Sequence, residues 1–96
     1  MRGFRLTLKP DAVRDLDSLP KFAAAMITDR IERHLRSAPA HESRSRIKRL
    51  RGRQLADYRL RVGSYRIFYR ITGDEVLILR VMHKDQTRQF YREEEP

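Results

Sequence analysis

The chain has 96 residues, enough for one hydrophobic core but not for a second one with its own cleft. Lysine and arginine number 22 against 13 aspartate and glutamate residues, and the net charge of +9 indicates a polyanionic partner. There is no cysteine, which excludes disulfides and thiolate zinc sites, and the three histidines lack ligand spacing, so we expect neither a metal nor a cofactor.

The first half of the sequence predicts one strand and two helices. Apolar and polar residues alternate over "FRLTL", Phe4–Leu8, as they do in a half-buried strand. A short helix is expected over Pro10–Leu16, because proline at the first helical position lacks only a donor that would be unpaired there. After Pro20, apolar residues recur every fourth position and predict the longest helix, which ends before Pro39. These apolar residues are Ala23, Ile27, Ile31 and Leu35.

The second half predicts a polar connection and then three strands. "APAHESRSR" and "IKRLRGRQLADY" have no regular apolar period, so we expect a loop that leads to the sheet. Strands are expected over Tyr58–Val62, Tyr65–Ile71 and Val76–Met82, joined by Gly63-Ser64 and by a turn at Gly73-Asp74. Glycine first in a two-residue loop favours a type II′ hairpin turn.

The order of these elements, β-α-α-β-β-β, predicts an α+β fold. An N-terminal strand and a two-helix hairpin precede a three-stranded antiparallel meander, and a short C-terminal helix or tail ends the chain. The helices are expected to cover one face of a mainly antiparallel sheet and to leave the other face open. We expect residues 1–96 to form a single domain.

The two-residue turn also fixes the register of the first hairpin, in which Arg61 faces Arg66. Period-two alternation then places one set of side chains on the open face: Arg59, Arg61, Arg66, Phe68 and Arg70. The alternate set is assigned to the core: Leu60, Val62, Ile67, Tyr69 and Ile71. Continued through the next turn, the register sets Arg66 opposite Val81 and Phe68 opposite Leu79. It predicts that Leu77, Leu79 and Val81 share the open face and that His83 lies at its rim.

Positive charge is concentrated in one part of the chain. Between Arg44 and Arg70 there are ten basic residues and one acidic residue, Asp57. Like charges across an antiparallel pair destabilise it by roughly a few tenths of a kcal/mol, so stability alone does not explain why Arg61 faces Arg66. Membrane-surface proteins usually use an amphipathic helix or a lipid anchor, and no apolar run or secretory signal is present. We expect a cytoplasmic protein that binds nucleic acid and no membrane.

The stretches "LRGRQLADYRLRVGSYRIFYRI" and "VLILRVMHKDQTRQFYRE" resemble the RelE/ParE superfamily of toxins from type II toxin-antitoxin systems. The resemblance covers nearly the whole chain and is most specific in the hairpin Tyr58–Ile71. It implies a toxin that a small acidic antitoxin neutralises. RelE-like members are ribosome-dependent endoribonucleases that cut mRNA, whereas ParE-like members poison DNA gyrase, and the fold does not distinguish them. "RVMH" is also typical of ParE-like chains, while "TRQFYRE" favours the RelE-like branch.

The resemblance to RelE-like members implies a catalytic set. It comprises basic residues on the strand entering the hairpin, an arginine after the turn, and basic and aromatic residues near the C-terminus. In this sequence they correspond to Arg59, Arg61, Arg66, Arg88 and Tyr91, with His83 and Lys84 as further candidates. Arginines stand where some members have lysines, which excludes a role that needs a deprotonated lysine.

RNA supplies its own nucleophile, the 2′-hydroxyl, so the protein has to stabilise the charge that develops on the phosphorane. We expect Arg61 and Arg66 to clamp the reacting phosphate and Arg59 to hold an adjacent one. His83 or Tyr91 would transfer protons, and the sequence leaves these two roles exchangeable.

Further residues are expected to bind RNA without taking part in the chemistry. The basic residues of this set would position ribosomal RNA. The one aromatic residue lies among the apolar side chains of the open face, which stacked bases, a protein partner or the C-terminal segment could cover. These residues are Lys48, Arg49, Arg51, Arg53, Phe68 and Lys84. Two other functions stay open at this stage, a gyrase inhibitor without chemistry of its own and a non-catalytic nucleic-acid-binding module.

Overall fold

The computed structural model describes residues 3–51 and 56–87. Two helices and five strands follow one another in these ranges: β1 (Arg5–Leu8), α1 (Pro10–Asp17), α2 (Lys21–Leu35), β2 (Ile47–Arg49), β3 (Tyr58–Val62), β4 (Tyr65–Thr72) and β5 (Glu75–His83). A 3-10 turn over Lys84–Gln86 follows β5. Within the two ranges, no helix combines the length and the apolar character needed to span a membrane.

The strands form one mixed sheet in the order β1-β5-β4-β3-β2. β1 lies parallel to β5, whereas the other neighbouring strands are antiparallel. β1 and β5 are far apart in sequence, as parallel neighbours must be, because a tight turn can join only antiparallel strands. The predicted α+β fold, with a strand, two helices and then an antiparallel meander, is confirmed.

The helices pack on one face of the sheet and form the main core with it. The predicted stripe on α2 is buried at all four positions: Ala23, Ile27, Ile31 and Leu35. From β3 and β4 come the buried Leu60, Val62, Ile67 and Tyr69, with the partly buried Ile71 beside them. The Tyr69 hydroxyl donates to the Pro39 carbonyl oxygen at 2.5 Å, and burial raises the pKa of this phenol. The predicted core side of the hairpin is therefore confirmed.

The expected loop between α2 and β3 contains a strand, β2, so this prediction is wrong over residues 47–49. Ile47 pairs with Leu60 and is buried in the core. Backbone bonds extend the pairing on both sides, from the Arg61 amide to the Arg46 carbonyl and from the Leu50 amide to the Asp57 carbonyl, each at 2.8 Å. Three residues with one apolar side chain are too short to show alternation, and pairing with β3 is what makes them a strand.

The Gly63-Ser64 turn has the predicted form. Gly63 has a φ of 57°, and Ser64 has no positive φ. A positive φ at only the first central residue is the pattern of a type II′ turn, which glycine adopts without strain. The turn sets Arg61 opposite Arg66, and the predicted register of the first hairpin is confirmed.

The predicted register between β4 and β5 is confirmed over residues 69–72 and is wrong over residues 65–68. A bulge between Phe68 and Tyr69 adds one residue to β5, so Arg66 faces Met82 and Phe68 faces Arg80. A one-residue shift moves later side chains to the other face. Val81 consequently lies opposite Ile67 in the main core and does not share the face of Arg66. His83 lies opposite Tyr65, also away from that face.

One carboxylate from α1 fastens the bulged part of β5. β1 pairs with β5 only as far as Ile78, and beyond that point Asp15 occupies the edge of the strand. Its carboxylate accepts hydrogen bonds from the Val81 amide at 2.8 Å and from Arg80 Nε and Nη2 at 2.8 and 3.1 Å. These bonds raise the pKa of Arg80. Arg80 thus has a structural role, in contrast to the arginines of the hairpin.

Candidate nucleic-acid interface

The sheet face opposite the helices carries a group of basic side chains on β2, β3 and β4, which we term the arginine face: Lys48, Arg59, Arg61, Arg66 and Arg70. Residues paired across neighbouring strands point to the same side. Lys48 pairs with Arg59, Arg59 with Phe68, and Arg61 with Arg66. Arg70 belongs to the same alternation, and its Nε lies 3.9 Å from the Asp57 carboxylate. The arrangement is a basic surface centred on the β3–β4 hairpin.

Arg61 and Arg66 bring two guanidinium groups to the turn end of this face. Arg61 is exposed, and its neighbour Arg66 is half-buried. Arg66 Nη1 donates to the carbonyl oxygens of Gly63 and Tyr65 at 3.0 and 2.9 Å, which holds its side chain at the turn. A guanidinium carries five donors in a planar fork, a geometry that matches the oxygens of a phosphate. The register thus places the two arginines at directly opposite positions on neighbouring strands.

Arg59 lies between Lys48 and Phe68 and is half-buried. Its Nε is inaccessible to solvent and makes no hydrogen bond within the described residues. A buried donor without an acceptor costs about 1–3 kcal/mol, a cost that structures usually remove by supplying a partner. Arg59 is therefore held on the arginine face at a cost in stability.

The expected role of Phe68 as a surface for stacked bases is wrong. The residue lies on the predicted face, but its side chain is fully buried in a small second cluster with Ala56. Leu50, Leu79 and Met82 pack against this cluster. Leu50 and Ala56 come from the connection between β2 and β3, so that connection covers the apolar centre of the open face. Bases cannot reach the ring, and Phe68 serves packing.

The expected position of His83 at the rim of the arginine face is also wrong, because of the bulge in β5. The imidazole packs edge-on against Tyr65, with the ring centroids 5.6 Å apart. Its Nδ1 accepts a hydrogen bond from the Asp85 amide at 3.1 Å, while the Gln86 side chain accepts one from the His83 amide at 3.1 Å. His83 therefore caps the 3-10 turn. An accepting Nδ1 places the proton of the neutral ring on Nε2.

The other predicted RNA-binding residues are spread over two places. Lys84 is exposed, and its amide donates to the Ser64 carbonyl at 2.7 Å, which holds the 3-10 turn against the hairpin turn near Arg66. Arg49 pairs with Tyr58, so its side chain points to the opposite side of the sheet from that of Lys48. Arg49 and Arg51 line a cavity of about 520 Å³ together with Glu42 and Leu50. The predicted RNA-binding residues therefore do not form one continuous patch: Lys84 lies at the hairpin turn, whereas Arg49 and Arg51 lie at the cavity.

Three predicted site residues lie outside the described ranges: Arg53, Arg88 and Tyr91. Among the described residues, no group of three or more His, Cys, Asp or Glu side chains could hold a metal ion. The sequence reasoning did not single out Arg46, whose carbonyl oxygen accepts from the Arg61 amide at 2.8 Å. A prediction of β2 would have placed the Arg46 backbone beside that of Arg61, although the Arg46 side chain lines a cavity at the end of α2.

Comparison with known proteins identifies the family. Residues 6–88 match the family model described as the ParE toxin of the type II toxin-antitoxin system parDE. The chain is 30% identical over 79 residues to Toxin RelE3 of Methanocaldococcus jannaschii, an alignment that covers 82% of this chain and 89% of that protein.

Solved structures show the same fold. A chain in the crystal structure of the toxin-antitoxin complex RelBE2 from Mycobacterium tuberculosis is 29% identical, with a TM-score of 0.67 and coverage of 84% of this chain and 98% of that one. A chain in the archaeal RelE-RelB complex from Pyrococcus horikoshii is 24% identical, with a TM-score of 0.69 and coverage of 86% and 97%. With the match over residues 6–88, these likenesses assign the chain to the RelE/ParE superfamily of type II toxins.

Proposed function

We propose that this toxin is a ribosome-dependent endoribonuclease that cleaves mRNA. The observation that carries the proposal is the placement of Arg59, Arg61 and Arg66 on one open face, with Arg61 directly opposite Arg66. Stability alone would disfavour that pair, whereas a phosphate would bridge it. Similarity to Toxin RelE3 supports the RelE-like reading.

The proposed reaction uses the substrate's own nucleophile. The 2′-hydroxyl oxygen attacks the adjacent phosphorus, the bond from phosphorus to the 5′-oxygen breaks, and the products are a 2′,3′-cyclic phosphate and a 5′-hydroxyl. One proton leaves the 2′-oxygen and one is added to the 5′-oxygen. Arg61 and Arg66 would stabilise the negative charge on the phosphorane, which is greater than in the ground state. Arg59 would hold a neighbouring phosphate.

The proton carriers remain a prediction. His83 lies opposite Tyr65, away from the arginine face, and is engaged through Nδ1 in capping the 3-10 turn, which disfavours it as a proton carrier. Tyr91 and Arg88 lie beyond the described residues and keep their predicted roles. A small acid–base set suits an enzyme whose substrate is positioned by the ribosome, because orientation can supply about 7–11 kcal/mol of the barrier. We therefore expect little cleavage of free RNA.

We further propose that a small acidic antitoxin neutralises this toxin. The solved relatives are RelB–RelE complexes, and the net charge of +9 would attract an acidic partner. A partner that covers the arginine face would block access to Arg61 and Arg66. Binding of such a partner should weaken steeply with salt.

The test is primer extension on translating ribosomes with wild-type protein, Arg61→Ala and Arg66→Ala. Wild type should produce new mRNA ends at the ribosomal A site, and each variant should cut about 100- to 1,000-fold more slowly, as expected for loss of one charge-stabilising donor. Arg14→Ala is the matched control, because Arg14 is exposed on α1 and pairs with Asp11. It should cut as wild type does. Absence of new ends with wild-type protein would contradict the proposal.

A second candidate function is inhibition of DNA gyrase, which the match to the ParE toxin model favours. It needs no chemistry from the toxin and uses the same basic surface for binding. Accumulation of cleaved DNA–gyrase complexes, with no new mRNA ends, would establish this alternative. If neither product forms, the chain would act as a nucleic-acid-binding module.

A further inference from the structure

A second basic site lies at the C-terminal end of α2, on the opposite side of the β2 edge from the arginine face. It is a cavity of about 150 Å³ between the end of the helix, the following loop and the start of β2. Its polar lining consists of Arg33, His34, Ser37, His41, Ser43 and Arg46. The volume suits a phosphate group, and every one of these side chains can donate a hydrogen bond to an anion.

The charge around this cavity is predominantly positive. Asp29 is shared between Arg30 at 2.8 Å and Arg33 at 3.3 Å. Arg46 makes no ion pair in the described part of the chain. The nearby carboxylate of Glu42 accepts from the Arg49 amide at 3.2 Å and lines a different cavity.

His34 responds to this environment. Burial lowers its pKa first, and the charges of Arg46, Arg33 and Arg30 lower it further, while Asp29 opposes them only in part. The same positive potential that disfavours a protonated imidazole favours a bound anion. An anion in the cavity would in turn raise the pKa of His34.

Arg46 connects the cavity to the arginine face. Its carbonyl oxygen accepts from the Arg61 amide at 2.8 Å, so the two backbones are direct neighbours across β2 and β3. Adjacent strands lie only about 4.8 Å apart. β2 is the last strand of the sheet, and a chain crossing the arginine face can turn around this edge toward the cavity.

We propose that this cavity binds a backbone phosphate of the RNA that crosses the arginine face, so that Arg46 and His34 hold the RNA as it turns around the β2 edge. The proposal rests on the proposed function for the identity of the polyanion. It adds a contact at a distance from the reacting phosphate. Such a contact positions RNA and carries no sequence information.

The first test follows the His34 ring by NMR in the full-length chain, titrated with pH in sodium phosphate and in sodium chloride of equal ionic strength. We expect phosphate to raise the pKa of His34. Arg46→Gln should raise the starting pKa, because one repelling charge is lost, and should abolish the further rise with phosphate. Arg44→Gln is the matched control, since Arg44 is an exposed loop arginine that does not line the cavity, and it should retain the response.

The second test measures the binding of a single-stranded RNA oligonucleotide against salt concentration. Arg46→Gln should lower the slope of log affinity against log salt by about 0.7, the value for one phosphate contact on a single strand, and Arg44→Gln should leave it unchanged. An acidic peptide of equal charge is the competing ligand. The His34 titration is repeated with this RNA and with the peptide. If the peptide raises the pKa of His34 as much as RNA does, the cavity serves an acidic protein partner and the inference is overturned.

Neither test requires cleavage, so the two proposals fail separately. A phosphate response at His34 without mRNA cleavage on ribosomes would contradict the ribonuclease function alone. Normal cleavage of mRNA, together with a pKa of His34 that neither phosphate nor RNA changes, would overturn the second phosphate site alone.

Discussion

The two faces of the sheet use polar groups in opposite ways. On the helix-covered side, the Tyr69 hydroxyl donates to Pro39, and the Asp15 carboxylate of α1 accepts from the Val81 amide and from Arg80 at the edge of β5. On the arginine face, a small apolar centre is surrounded by cations, and Arg59 keeps a buried Nε without a partner in the described ranges. The first arrangement stabilises the fold, whereas the second carries a cost in stability. The basic side chains gathered on one face of the sheet are therefore the better guide to the binding surface.

The largest expected effect on stability comes from the centre of the arginine face. Phe68→Ala would empty the second cluster, and we expect the free energy of unfolding to fall by about 3 kcal/mol. The measurement is equilibrium unfolding in urea. Phe68→Leu, which retains most of the apolar volume, should lose about half as much. If Phe68→Ala were as stable as wild type and bound RNA more weakly, the ring would be a binding group and its assignment to packing would be incorrect.

The next largest effect tests the helix-covered side. Asp15→Asn removes the charge that bonds Arg80, and we expect a loss of about 2 kcal/mol in the free energy of unfolding. Asp11→Asn is the matched control, because Asp11 pairs with Arg14 on the exposed side of the same helix. It should change stability by less than about 0.5 kcal/mol. Equal losses in the two variants would contradict the special role of Asp15.

The buried phenol of Tyr69 predicts a pH dependence on the same side. Its pKa in the folded protein is raised above the ordinary value of 10.0, so the contribution to stability is complete below that value and is lost as the pH rises above it. The expected loss is about 1.4 kcal/mol per pH unit above the ordinary value. Unfolding measured from pH 9 to pH 11 for wild type and Tyr69→Phe checks this.

The phenylalanine variant should lose the part of this alkaline dependence that comes from the Tyr69 hydroxyl. An unchanged slope in Tyr69→Phe would show that the Tyr69 hydroxyl ionises as readily in the folded protein as in the unfolded one.

The smallest expected effect is a gain in stability. Arg61→Gln removes the like-charge pair with Arg66, and we expect the free energy of unfolding to rise by a few tenths of a kcal/mol, on the order found for such cross-strand pairs. The gain should disappear in high salt, because screening already weakens the repulsion there. Parallel urea titrations of both proteins at low and high salt measure it. A clear loss of stability would mean that the pair contributes to the fold.

The sequence predicted those parts of the molecule that depend on local pattern. The stripe from Ala23 to Leu35 and the hairpin register at Gly63 follow from periodicity and turn chemistry, and both are confirmed. The placement of Arg61 opposite Arg66 came from that register alone. The sequence also assigned Arg59 to the same face, and the structure agrees.

The errors arise where distant residues decide the outcome. β2 exists because Ile47 packs against Leu60, which no local pattern reveals. The bulge in β5 shifts His83 to the other face, and its one extra residue has no marker in "VLILRVMH". Phe68 is covered by Leu50 and Ala56 from another part of the chain. Burial by a remote segment and an added residue in a strand are tertiary features.

The carboxylate of Asp15 has a consequence for assembly. Beyond Ile78 the outer edge of β5 would present free backbone donors, and such an edge invites a strand of another molecule to add to the sheet. By accepting the Val81 amide, Asp15 occupies that position with a side chain that no incoming strand can displace without stranding a charge. Within the described residues, the two outermost strands of the sheet are thus β1 and β2, while the bulged end of β5 is closed by a side chain.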